Sequence, residues 1–311
     1  MKGKGRRPGP EYYPPSTQTA QNDSLLDKMS ASSTQDQANE FRTDKLPKCT
    51  LRNLGHLCRL FVSEMIGLGL ICFVCVIYQP PSTGLNLPFP VVLGLVFTWV
   101  LWVCGPISGA QVNPCVSLAL LFTRRLSVVH AIVCMAGQLV GATAGAWIAI
   151  VCGPESLSST PYVGMTMRST SISVGQAIGL EIIGTMILVI SVLSVSDEFR
   201  ASAWSQGHFT VFPFEFGVTL ALIAATVGMY SGGSVNPFRS LGPAFVNRTL
   251  VEQWIYIVGP LIGCVLATVV YELMLSNGAS GPRIKAWFTD SEFDRRKDYR
   301  KPHEKRYSED L

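Results

Sequence analysis

The chain has 311 residues, 48% of them hydrophobic and only 15% charged, with a formal net charge of +4. Most of the charge lies at the two ends: residues 1–58 carry 9 Lys/Arg and 6 Asp/Glu, residues 278–311 carry 9 and 7, and the 219 residues between them hold 7 and 8. That apolar middle is the composition of a multi-span membrane protein, and the lack of a basic stripe interleaved with aromatics argues against a nucleic-acid partner.

Residues 1–58 are rich in Ser, Thr, Gln, Asp and Pro and lack apolar periodicity, so a largely disordered tail is expected. No secretory signal is expected, since the first apolar run begins only near residue 60. The first span runs from about Leu60 to Tyr78 and carries one acid, Glu64. A Pro-rich loop from Gln79 to Pro90 leads to a second run, Val91–Cys104. Gly105–Gly109 breaks it, and a short helical stretch from Asn113 to Phe122 ends at Arg124-Arg125. The third span, about Ser127–Cys152, contains Gly137, Gly141 and Gly145 on one face, a pattern that lets helices approach closely. A Ser/Thr/Pro/Gly loop precedes the fourth span, about Val174–Val195, again with a lone acid, Glu181. The fifth span covers about Phe209–Tyr230, a second short helix Asn236–Val246, and the sixth span about Trp254–Leu275. The fold class expected is therefore an all-α membrane bundle of six transmembrane helices plus two re-entrant half-helices. A channel domain over 59–277 is flanked by cytoplasmic tails.

The nine cysteines show neither a disulfide framework nor zinc spacing, and the four histidines do not cluster. No metal, no cofactor and no enzymatic nucleophile–base pair is expected.

The two halves of the channel domain, about 59–152 and 173–277, repeat one another. Glu64-Met-Ile-Gly67 matches Glu181-Ile-Ile-Gly184, Ser108-Gly109 matches Ser231-Gly232, and Val112-Asn113-Pro114 matches Val235-Asn236-Pro237. Gly94 lies 19 residues before Asn113, and Gly217 lies 19 before Asn236. Three spans per half is an odd number, so the second half enters from the opposite face, giving an inverted repeat. The short segments then dip in from opposite sides and meet near the midplane. Lys/Arg bias sets the orientation: with both tails cytoplasmic, Arg124, Arg125 and Arg200 also fall inside, leaving Arg168, Arg239 and Arg248 outside or in the outer half.

Proline at the first helical position costs no hydrogen bond, and the asparagine before it can cap the helix or face a cavity. Two half-helices pointing their N-termini inward bring two positive dipole ends together, which repels cations and protons. Asn113 and Asn236 then offer amide donors to a passing neutral oxygen. These features suit a passive channel for small, neutral, hydrogen-bonding solutes.

On its two Asn-Pro motifs, its two Glu-x-x-Gly motifs and Arg239, the chain resembles the aquaporin, or major intrinsic protein, family over about residues 59–277. The resemblance implies a right-handed bundle, a homotetramer in the cell membrane with one pore per subunit, and a structural role for Glu64 and Glu181, which support the re-entrant loops. It also implies a selectivity filter at Leu93, Ala224, Gly233 and Arg239. Water-selective members usually carry Phe and His at the first two of these positions. Aliphatic residues there imply a wider, less polar opening that passes water, glycerol and urea. Ser240 and Ala244 are instead aquaporin-like, and the combination resembles the entomoglyceroporins.

Two departures from the family pattern stand out. The third motif position, normally Ala in the family, is Cys115 in one half and Phe238 in the other. Phe238 must fit beside the half-helix or enter the pore, and Cys115 is either a mercurial target or an inert buried thiol. The second departure is Ile257, where Trp often follows the position of Tyr256. Asn247-Arg248-Thr249 is an N-glycosylation sequon on the expected outer face. A strictly water-selective channel, a non-conducting adhesion or scaffold member of the family, and an inverted-repeat secondary transporter are the competing readings.

Overall fold

The computed structural model describes residues 50–78, 87–197, 208–291, 293–295 and 297–300. Most of the expected N-terminal tail, part of the first loop and Arg200 lie outside the described residues. The first helix, α1, runs Leu51–Ile77 and starts before the expected tail boundary, because Thr50 caps it through a bond from the Asn53 amide. It is followed by α2 (Phe89–Ser108), the half-helix α3 (Pro114–Phe122), α4 (Val128–Cys152), a single turn α5 (Glu155–Ser158) and α6 (Val174–Val195). Then come α7 (His208–Thr226), a single turn α8 (Gly228–Ser231), the half-helix α9 (Pro237–Val246), and α10 (Ile255–Val270), which runs into a π turn at Tyr271–Leu275. A last helix, α11, spans Gly281–Thr289.

Five of these helices are long and apolar enough to cross a bilayer, the last of them counted through Leu275, and α7 supplies a shorter apolar helix over Pro213–Thr226. The distribution of side chains agrees. Trp99, Trp102, Trp147, Ile183 and Leu222 are exposed on the outside of the bundle, whereas Glu64, Ser117, Gln138, Glu181 and Thr185 are wholly buried. Apolar groups face outward and polar groups meet inside, which is the arrangement lipid demands.

Packing follows the repeat. The most extensive helix contacts pair α1 with α4 in the first half and α6 with α10 in the second, and α2 meets α7 across the halves. Glycine makes these contacts possible. A Cβ on Gly145 would sit 1.9 Å from the Gly69 carbonyl oxygen, and one on Gly141 would sit 2.1 Å from that of Met65. In the second half, a Cβ on Gly263 would lie 2.5 Å from the Ile182 oxygen. At the centre Gly94 and Gly217 face each other. The half-helices cross over: α3 packs against α6 and α10, and α9 against α4 and α1. Each half therefore inserts its short helix into the other.

The C-terminal segment is part of this packing. The Trp287 Nε1 donates to the Phe122 carbonyl at 3.1 Å, and Arg295 Nη1 to that of Thr123 at 2.7 Å. These carbonyls belong to the C-terminal end of α3, where the helix dipole favours cations. Glu272, buried in the π turn, pairs with Arg295 at 2.8 Å and Arg125 at 3.2 Å. Removing one partner of a buried ion cluster costs about 3–5 kcal/mol. Glu272→Gln is therefore expected to release residues 281–300 from the bundle. Limited trypsin digestion in detergent should then cut at Lys285 and Lys297 faster than in the wild type; equal rates would show that the ion cluster does not hold the segment.

Candidate functional site

Each half-helix is launched from a loop of unusual backbone. In the first, Gly109 (φ 81°), Ala110 (φ 45°) and Val112 (φ 42°) are left-handed; in the second, Gly232 (φ 94°), Gly233 (φ 57°) and Val235 (φ 45°) are. Glycine tolerates this region, but a β-branched valine does not adopt it without cost. The two loops follow the same path because the same groups hold them. The Glu64 carboxylate accepts from Ser108 Oγ (2.6 Å), Gln111 N (2.9 Å), Val112 N (2.7 Å) and Gln138 Nε2 (2.8 Å). That of Glu181 accepts from Ser231 Oγ (2.7 Å), Ser234 N (3.0 Å) and Val235 N (2.7 Å). Behind the second loop, the Tyr256 hydroxyl donates to the Ser231 carbonyl at 2.8 Å.

The asparagines join the loops. Asn113 Nδ2 donates to the Val235 carbonyl at 2.8 Å, and Asn236 Nδ2 to that of Val112 at 2.7 Å. Each side-chain oxygen caps its own helix: Asn113 Oδ1 accepts from Cys115 N, and Asn236 Oδ1 from Phe238 N and Arg239 N. Pro114 and Pro237 occupy the first turns. An amide nitrogen has two hydrogens. One from each asparagine crosses to the opposite loop, which leaves the second for the cavity that both residues line. The half-helices thus meet N-terminus to N-terminus, with two positive dipole ends at one point.

That cavity has a volume of about 260 Å³ and is lined by Leu93, Ala224, Gly233 and Arg239 together with Asn113 and Asn236. The four residues aligned to the family's filter and the two motif asparagines therefore share one space. Arg239 donates through Nη1 to Thr166 Oγ1, which in turn bonds Ser240 Oγ at 2.7 Å. A second cavity, which shares Phe89 and Arg239 with the first, is lined also by Cys75 and Tyr78. A third, of about 50 Å³, continues beyond the asparagines between Phe97, Leu101, Leu188 and Phe216.

The other singled-out residues lie elsewhere. Phe238 is half-buried against the main apolar cluster and lines none of these cavities. Cys115 is fully buried in a separate cluster with Val189 and Cys264, whose thiol donates to the Cys115 carbonyl at 3.1 Å. Asn247 ends α9, and its amide nitrogen donates to the carbonyls of Val163 (3.1 Å) and Pro243 (2.8 Å), so it is turned into the protein.

Three contributors were not singled out from the sequence. Gln138 bridges Glu64 to Ser117; its signal was available, as a lone amide between two packing glycines of an apolar span. Thr166 sits in a Ser/Thr-rich loop with nothing to mark it. Tyr256 heads an apolar helix, where a hydroxyl needs a partner that sequence does not name.

Comparisons with known proteins agree with this geometry. The model of the family described as major intrinsic protein matches residues 52–271. Aquaporin-1 of Bos taurus is 31% identical over 243 residues, covering 74% of this chain and 87% of the bovine one. Aquaporin-1 of Homo sapiens is 32% identical over 204 residues, covering 65% and 73%. Among solved structures, the aquaglyceroporin from Plasmodium falciparum superposes with a TM-score of 0.62 at 25% identity, over 70% of this chain and 97% of the other. Two mirrored half-helices meeting at paired asparagines, and a family match that spans the bundle, place this multi-pass membrane chain in the major intrinsic protein family, whose members are channels rather than enzymes.

Proposed function

We propose that the chain is a passive channel conducting water and glycerol, with urea as a further permeant, while excluding protons and ions. The observation that carries this reading is the cavity of about 260 Å³ in which Arg239 faces Leu93, Ala224 and Gly233. Three of its four filter positions are aliphatic or bare, and the fourth presents guanidinium donors. Such a rim suits a polyol, whose CH groups meet apolar walls while its hydroxyls meet Arg239. Asn113 and Asn236 would receive the solute oxygen next, and the facing dipoles would oppose a cation. Glu64 and Glu181 would act as loop anchors rather than proton relays, since their oxygens are taken up by donors from the loops. Likeness to a protein described as an aquaglyceroporin also supports glycerol as a permeant.

In the same reading the channel sits in the cell membrane with both termini cytoplasmic. Arg124, Arg125 and the basic C-terminal segment share one face, as the positive-inside tendency requires. A homotetramer is supported by the family resemblance and by the exposed apolar outer faces of α2 and α7, including Trp99, Trp102 and Leu222.

A strictly water-selective channel is the second reading, favoured by the cavity of only about 50 Å³ beyond the asparagines. Stopped-flow light scattering on proteoliposomes separates the two. Fast shrinkage in an impermeant osmolyte followed by fast glycerol re-entry is expected. Water flux without glycerol flux would support the second reading, and no flux of either would leave a non-conducting scaffold.

A further inference from the structure

We infer that the size limit of this channel is set not at the Arg239 filter but at an aromatic throat beyond the asparagines, formed by Phe97 and Phe216 with Leu101 and Leu188. The inference rests on the channel reading above. Its basis is a taper along two helices. On α2, Leu93, Phe97 and Leu101 follow one another at four-residue steps and so share a face. On α7, Ala224, Leu220 and Phe216 do the same in the reverse sense. Leu93 and Ala224 line only the wide cavity, Phe97 and, from α6, Leu188 line both, and Leu101 and Phe216 line only the narrow one. Side-chain bulk on α7 thus grows from Ala through Leu to Phe along the passage, while the enclosed volume falls from about 260 to about 50 Å³.

The chemistry changes along the same path. The wide cavity offers Arg239 and two asparagine amides. The narrow cavity keeps Asn113, Gln111 and the 109–112 loop in its lining, but its other walls are Phe97, Leu101, Leu188 and Phe216, whose side chains offer no hydrogen-bonding groups and are all buried. A solute entering the throat gives up hydrogen bonds on the sides that face these walls, and the loss grows with the number of its hydroxyls. An open filter followed by a closed-in throat would admit polyols to the middle of the membrane and sort them there, by size and hydroxyl count.

The test compares wild type with Phe216→Ala, Phe216→Leu and Phe216→Trp in proteoliposomes, measuring water, glycerol and the longer polyols erythritol and xylitol. Phe216→Ala is expected to raise glycerol flux about tenfold, equivalent to about 1.4 kcal/mol off the barrier, and to admit erythritol. Phe216→Leu should move the same way by less, and Phe216→Trp should lower glycerol flux more than water flux. Variants that conduct water but keep the wild-type polyol cutoff would overturn the throat, leaving the glycerol reading intact where the wild type passes glycerol and overturning it as well where it does not. A wild type closed to glycerol, with Phe216→Ala open to it, would overturn the glycerol reading and uphold the throat. Vesicles that conduct no water with any of these proteins would overturn both.

Discussion

Glu64→Ala and Glu181→Ala are each expected to yield little or no folded channel. The carboxylate of Glu64 accepts four hydrogen bonds, and that of Glu181 three, from groups that are buried with it. Alanine would orphan the backbone donors, Gln111 N and Val112 N in one loop and Ser234 N and Val235 N in the other, while Ser108, Gln138 and Ser231 keep only their secondary partners. A buried polar group without a partner costs about 1–3 kcal/mol, and the alternative partner, water, is scarce in the middle of a bilayer. The damage extends to the backbone. Val112 and Val235 are left-handed, at φ 42° and 45°, and such strain, about 1–3 kcal/mol per residue, persists only where the surroundings enforce it. The enforcing bonds come from Glu64 Oε2 at 2.7 Å and Glu181 Oε2 at 2.7 Å. The lost hydrogen bonds alone reach several kcal/mol, against a typical total stability of about 5–15 kcal/mol, and the freed loop would relax out of the geometry that launches the half-helix. Glutamine should be milder, because it keeps one accepting oxygen, yet its amide would face a backbone N–H. The measurement is the yield of monodisperse protein in detergent and its thermal midpoint, with the order wild type, then Gln, then Ala. A Glu64→Ala protein as stable as wild type would refute the anchoring role. A well-folded Glu→Gln variant with altered proton leak would revive a relay role for the acid.

The fold was legible because lipid imposes a one-dimensional signal. Apolar runs near 20 residues mark spans, and the repeated Asn-Pro and Glu-x-x-Gly sequences mark where the chain re-enters. Those signals are local and survive without knowing any partner. The anchoring network was only half legible for the opposite reason. Glu64 stands out as an acid in an apolar span, but Gln138 and Ser117, which complete its surroundings, look like ordinary helix residues until α4 and α3 are brought together. The docking of Trp287 and Arg295 on the end of α3 escaped detection altogether. A charged, short helix reads as a solvated tail, and only the placement of Glu272, Arg125 and Arg295 turns it into a packed element. Phe97 and Phe216 escaped because alignment to a family draws attention to four named positions. Their neighbours one and two turns further along carry no motif.

Ala224→His is expected to close the channel to glycerol while sparing water. Ala224 borders the wide cavity across from Leu93, beside Gly233 and Arg239, and no bulky side chain at these four positions fills the space except the arginine itself. An imidazole at 224 would occupy part of that volume and replace an apolar wall with a hydrogen-bonding one. Water is small and loses little, because the new ring offers it a partner. Glycerol loses the apolar surface its CH groups would contact and the room to turn its hydroxyls toward Arg239. A glycerol-to-water permeability ratio at least about tenfold lower corresponds to about 1.4 kcal/mol of added barrier, within reach of one ring in a confined site. Ala224→Val separates bulk from polarity, since it adds the first without the second: if size alone decides, valine should lower glycerol flux too. An unchanged glycerol-to-water ratio in both variants, with water flux intact, would mean that solutes are not sorted at the Arg239 end of the passage. The burden of selection would then fall on the Phe97–Phe216 throat alone.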